Sequence, residues 1–139
     1  MQPRFFAKLQ VKRGHDLKGS LLFPFAVMLA LGFNSPALYA QDAYDGKLLR
    51  VAEVLGSLHY LRNLCGETAS TWRDQMDAII AAENPTESER LRLISGFNYG
   101  YRTFSENYIR CTPSALAAID RYMKEGERLS NEIISRYGN

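Results

Sequence analysis

Residues Thr86–Cys111 read TESERLRLISGFNYGYRTFSENYIRC, and the fold turns on this stretch. It opens on Thr86-Glu87-Ser88-Glu89, where a threonine hydroxyl and a glutamate carboxylate three residues on can satisfy each other's orphan backbone amides, the signature of a helix start. Ile94, Phe97, Tyr101, Phe104 and Tyr108 then recur at alternating steps of three and four, which places them on one side of a helix. Gly96 and Gly100 lie four apart inside this pattern. Their missing side chains leave room for a neighbouring helix to come close.

Three flanking segments carry the same recurrence, and no stretch sustains a period of two, so the expected class is all-α. Before the quoted stretch, a helix is expected from about Asp45 to Cys65, with Leu48, Val51, Leu55, Leu58, Leu61 and Cys65 as its stripe. Asp45 is read as its cap and Gly66 as its end. A second helix should run from Ser70 to Glu83 with Trp72, Met76, Ile79 and Ile80 inward, stopped by Asn84-Pro85 because proline disfavours helical geometry in the residue before it. After the quoted stretch, Thr112-Pro113 pairs a cap residue with a proline at the first helical position. Leu116, Ile119, Met123, Leu129, Ile133 and Tyr137 continue that inner face, with Asp120–Lys124 and Glu132–Arg136 as four-apart pairs outside. Short turns make the expected architecture an up-down four-helix bundle.

The N-terminal 40 residues read differently. A basic stretch ends at Lys18, the uncharged run Leu21–Phe33 follows, and Asn34-Ser35-Pro36 leads to the small-residue exit Ala37-Leu38-Tyr39-Ala40. That order predicts an export signal cleaved after Ala40, and the apolar run is short of the roughly 20 residues a spanning helix needs. A retained anchor is the alternative. The 99 residues beyond it suit one domain. They carry 12 Lys and Arg against 14 Asp and Glu, a net −2, so neither nucleic acid nor anionic lipid is an expected partner.

Two cysteines, Cys65 and Cys111, remain after processing, and in an oxidising compartment two thiols predict one disulfide, the alternative being two unpaired buried thiols. The bundle agrees: a chain going up, down and up again puts both cysteines at the same end. On helices of about 30 Å, cysteines at opposite ends could not be bridged.

The chemistry on offer is narrow. His59 is the one histidine after Ala40, too few imidazoles for a usual zinc site, and no GxSxG elbow accompanies it. Met76 and Met123 on apolar faces are read as core rather than haem ligands, so neither metal nor cofactor is expected. The acids fall in patterns that suit helix starts and solvated faces. The exception is the segment Phe97–Arg110, which holds five of the ten aromatics beyond Ala40. Tyr99, Arg102, Glu106 and Arg110 lie off its stripe, and exposed tyrosine and arginine together favour contact surfaces. The plain alternative is a solvated flank with an Arg102–Glu106 ion pair. His59, Arg62, Trp72 and Arg73 are candidates to join that surface near the disulfide end.

The residues Leu55-Gly56-Ser57-Leu58-His59-Tyr60-Leu61-Arg62, Cys65-Gly66, Trp72-Arg73, Met76, Phe97-Asn98-Tyr99-Gly100-Tyr101-Arg102, Tyr108 and Cys111-Thr112 together resemble an uncharacterised family of small exported alphaproteobacterial proteins, carried as a domain of unknown function. The resemblance spans about residues 48–137. It implies a Gram-negative envelope protein with its two cysteines paired, and it supplies no activity. The expectation is therefore a periplasmic, non-catalytic interaction module that contacts an envelope protein or cell-wall glycan. Its rivals are a small-ligand or cell-wall-active enzyme using His59 with a carboxylate, and a homo-oligomer assembled through one apolar helix face.

Overall fold

The computed structural model describes residues 36–138; the basic stretch and apolar run of the expected signal lie outside them. Four helices follow in order: α1 (Pro36–Leu64), α2 (Thr71–Glu83), α3 (Glu87–Ser105) and α4 (Pro113–Tyr137). Among the described residues there is no strand, and no helix is long and apolar enough to cross a membrane.

The local signals act as expected at most ends. Thr86 accepts from the Glu89 amide while the Glu89 carboxylate accepts from the Thr86 amide, a complete capping box. Thr112 accepts from the Ala115 amide with Pro113 in the first turn. Gly66 (φ 100°) takes the left-handed conformation just past α1, which a side chain would resist. Asn84 (φ 44°) does the same after α2 and donates its amide to the Ile80 carbonyl. The exception is Asp45. It is not a cap, because α1 already begins at Pro36; an amide inside a continuing helix has its partner one turn back, and the Asp45 carboxylate accepts from the Gln41 side chain instead.

α1 is the hub on which all three other helices pack. Val51, Val54, Leu55, Leu58 and Leu61 are fully enclosed along it, joined by Trp72 and Met76 from α2, Leu93, Phe97 and Phe104 from α3, and Ala115, Ala118, Ile119, Leu129 and Ile133 from α4. α2 runs antiparallel to α1, with the Tyr44 hydroxyl donating to the buried Glu83 carboxylate at 2.7 Å. α4 is also antiparallel and is fastened by charge. Lys47 meets Glu132 at 2.5 Å, and Arg50 meets Glu125 at 2.8 Å while bonding Glu53. Glu132 also takes Arg128. Lys47 first, then Arg128, hold its carboxyl below the usual carboxylate range. The expected Glu132–Arg136 pair is thus replaced, since two closer cations claim the same carboxylate, and no Asp120–Lys124 pair forms among the described residues.

The α1–α3 contact is the tightest and was only half anticipated. The two helices run parallel, Leu49 facing Gly96, Glu53 facing Gly100, and Tyr60 donating its hydroxyl to the Tyr108 carbonyl. An added Cβ at Gly100 would stand 2.0 Å from the Glu53 carbonyl oxygen, and one at Gly56 would stand 1.9 Å from that of Phe97. The backbones therefore touch. The buried Ser57 hydroxyl lies in the seam, 2.9 Å from the Glu53 carbonyl and 3.3 Å from that of Gly100. This approach turns α3 on its axis relative to the expected stripe: Leu93, Gly96, Phe97, Gly100 and Phe104 are the buried set, and Tyr101 is 38% exposed. On α4 the same logic puts Ala115 and Ala118 inward and leaves Leu116 outside, 51% exposed, because a close helix contact favours the small residue over the large one.

Cys65 and Cys111 form the expected disulfide at the common end, with Cα atoms 4.9 Å apart.

Candidate functional site

The eight candidate contact residues do not form one patch; the fold scatters them over the core, the disulfide end, the junction of α1, α2 and α3, the flank of α3 and the connection to α4. Trp72 leaves the set altogether. It is completely buried on the inner face of α2, so it packs the core and offers no surface. Arg62 belongs to the disulfide end. Its guanidinium meets the Glu67 carboxylate at 2.5 Å and its carbonyl accepts from the Glu67 amide, which closes the turn after α1.

His59 and Arg73 sit at the junction of α1, α2 and α3. The imidazole lies between the rings of Phe97 (5.7 Å) and Tyr101 (6.0 Å), and the Arg73 guanidinium covers Phe97 at 4.5 Å from the ring centre. Tyr60 meets Tyr101 edge to face at 5.2 Å. The Nδ1 atom of His59 is shielded from solvent and has no hydrogen-bond partner among the described residues. Burial first, and the Arg73 charge second, hold the imidazole below its ordinary value of 6.5, against the weaker opposing pull of Asp74. A histidine that works as a couple with a carboxylate needs that carboxylate within hydrogen-bond reach. Among the described residues no carboxylate bonds His59, and the Asp74 carboxylate takes the Ser70 hydroxyl at 2.8 Å. The expected alternative of a His59–carboxylate pair is therefore not assembled in this structure.

A histidine whose proton affinity is lower folded than unfolded makes stability depend on pH in a definite direction. Above 6.5 both states are neutral at this residue and its contribution is intact. As pH falls through 6.5 the unfolded chain takes up the proton first, and stability is lost until the folded-state value is passed. Urea midpoints should therefore fall from about pH 7 to about pH 5, with a shallower fall in His59→Gln. Equal slopes in the two proteins would show that His59 titrates alike folded and unfolded.

Tyr99 and Arg102 lie on the outer flank of α3, over a groove shared with α1. Tyr99 is 59% exposed and Arg102 is also exposed. The groove is lined by Leu49 and Glu53 from α1 and by Arg92, Ser95, Gly96, Tyr99 and Arg102 from α3. No Arg102–Glu106 ion pair forms; Glu106 ends α3, its amide donating to the Arg102 carbonyl. Arg110 stands apart on the exposed connection to α4, beside Ile109, which is 84% exposed. Sequence reasoning missed Arg92, Ser95, Leu49 and Glu53. Positions 92, 95, 99 and 102 do follow helical spacing, but Arg92 and Ser95 look like any solvated flank until α1 supplies the other wall.

No group of three His, Cys, Asp or Glu side chains comes together among the described residues in a way that could hold a metal. Fold and surface together define a small all-helical domain, stapled by one disulfide, with a shallow groove along the α1–α3 seam. Residues 43–137 match the family described as "Protein of unknown function (DUF2385)", and the chain belongs to that family. No curated protein and no solved structure matches it.

Proposed function

We propose that the protein is exported to the periplasm, is cleaved after Ala40, and acts there as a non-catalytic interaction module on an envelope protein or cell-wall glycan. The disulfide supports the compartment, since such bonds persist where the surroundings are oxidising. The family match beginning at residue 43, just past the proposed cut, supports the processing. The cut would remove the first five residues of α1 and leave Asp42 and Asp45 near a new N-terminus, where acidic side chains stabilise a helix.

One observation carries the contact reading. Tyr99 and Arg102 are exposed side by side on a rigid helix over a groove, with Arg102 in no ion pair among the described residues. Tyrosine and arginine are the side chains that most often dominate such interfaces. Crosslinking in living cells, followed by affinity capture of the C-terminally tagged protein, should retrieve an envelope component or cell-wall material. A Tyr99→Ala/Arg102→Ala variant should lose that capture while its unfolding free energy stays within about 0.5 kcal/mol per site. Undiminished capture by a folded variant would place the contact surface elsewhere, and loss of fold would make the two residues structural.

A further inference from the structure

Independently of the contact reading, we infer that the Cys65–Cys111 bond is a thiol–disulfide exchange site, at which the thiolate of a protein carrying a reduced cysteine pair enters a surface hollow, attacks the Cys65 sulfur and expels Cys111. The bond lies at the surface, with Cys111 exposed and Cys65 half-buried. Cys65 lines a hollow open to solvent, whose walls include Arg62, Glu67, Leu116 and Asp120. The connection that carries Cys111 is held lightly. Tyr108 donates its amide to the Phe104 carbonyl and accepts the Tyr60 hydroxyl, and Thr112 caps α4, but between them Ile109, Arg110 and Cys111 make no backbone hydrogen bond among the described residues. Opening the bond therefore frees a short connection without first dismantling the bundle, so exchange proceeds from the folded state.

The two ends of the bond are electrostatically unlike, and this sets the direction of attack. Cys65 follows the last residue of α1, the negative end of a helix dipole, whereas Cys111 precedes the cap of α4, the positive end, with Arg110 beside it in sequence. The cation of the Cys65 hollow, Arg62, is already taken by Glu67 at 2.5 Å, and Asp120 adds a negative charge there. The departing sulfur must carry the negative charge, and the better-stabilised thiolate leaves faster. Cys111 is thus the leaving group and Cys65 the sulfur attacked. As the incoming thiolate bonds to the Cys65 Sγ, the Cys65–Cys111 bond breaks, its electron pair departs with Cys111, and Cys111 takes a proton from water. The second thiolate of the incoming protein then attacks that protein's own sulfur in the mixed disulfide and releases Cys65, which is protonated in turn. The incoming cysteine pair is oxidised to a disulfide, and Cys65 and Cys111 are reduced by the same two electrons.

The test uses oxidised protein expressed from the full-length sequence and purified as the cell leaves it. β-Mercaptoethanol, an uncharged probe, is reacted briefly at neutral pH, the mixture is quenched with acid, and the adduct is located by peptide mass spectrometry; dithiothreitol gives the rate of complete reduction. The adduct should sit on Cys65 with Cys111 free. The reduction rate should rise in proportion to dithiothreitol and stay level in urea below the unfolding transition. Arg110→Glu should slow adduct formation about threefold, and Arg136→Glu, the same charge change at the far end of α4, should leave it unaltered. A rate that levels off with dithiothreitol and climbs with urea would mean that only the unfolded chain is reduced, which overturns the exchange site. An adduct on Cys111, or equal slowing by the two charge reversals, overturns the assignment of Cys65 as the sulfur attacked.

Discussion

Reduction of the Cys65–Cys111 bond, or its replacement by Cys65→Ser/Cys111→Ser, should cost about 4 kcal/mol of stability in the chain-entropy model, for a crosslink spanning 46 residues in sequence. A domain of this length has roughly 5–15 kcal/mol in total, so the variant should be marginal and unfold at much lower urea. The bond ties the end of α1 to the connection before α4, across the whole of α2 and α3. The same end holds the Tyr60 bond to the Tyr108 carbonyl and the Arg62–Glu67 pair, which should fray with it. Urea unfolding of the oxidised protein beside the double serine variant measures the difference, and the native protein should titrate no free thiol. A loss under about 1 kcal/mol would mean that residual structure already restrains the reduced unfolded chain, contrary to the chain-entropy account.

Gly56→Ala should destabilise the protein by about 2 kcal/mol even though alanine favours a helix by about 1 kcal/mol over glycine. The new methyl would meet the Phe97 carbonyl, whose oxygen lies 1.9 Å from the Cβ position. Backbone cannot swing aside as a side chain can, so α1 and α3 must separate, at the upper end of the roughly 1–3 kcal/mol typical of overpacking. Gly100→Ala should behave alike, its Cβ falling 2.0 Å from the Glu53 carbonyl. The two need not add, since both are relieved by one separation of the same helices. Gly46→Ala is the internal control. Nothing lies within 4 Å of that position, so the same substitution should stabilise by about 0.5–1 kcal/mol. Calorimetry or urea unfolding of the three variants decides the matter, and stabilisation by Gly56→Ala would show that the helices are not in backbone contact.

Much of the architecture was legible because the local chemistry is strong. The box at Thr86–Glu89, the Thr112-Pro113 start and the breaks at Gly66 and Asn84-Pro85 each act within a few residues, and the helices begin and end beside them. The start of α1 was misread because Asp45 resembles a cap only if the chain before it is discarded. Tyr101 and Leu116 were misplaced because a large apolar residue looks inward on a stripe, whereas the space next to α1 went to Gly96, Gly100, Ala115 and Ala118. At the site, Tyr99 and Arg102 were found because they lie off the stripe. Arg92 and Ser95 were not, since nothing local distinguishes them until α1 supplies the other wall. Trp72 was read both as inward on the α2 stripe and as a contact candidate beside Arg73; its burial bears out the first reading, since one residue on a helix separates surface from core.

By itself the sequence determined the helical class, the four segments, their up-down order and the pairing of the two cysteines, because periodicity, caps and chain reversal are set by near neighbours. Only the tertiary structure decided that α1 is the hub, that α1 and α3 lie backbone to backbone, and that Arg92, Ser95, Tyr99 and Arg102 line a groove over their seam. Those depend on which glycine meets which carbonyl across roughly 40 residues of chain, a distance over which packing chooses the partner and local preference has no say.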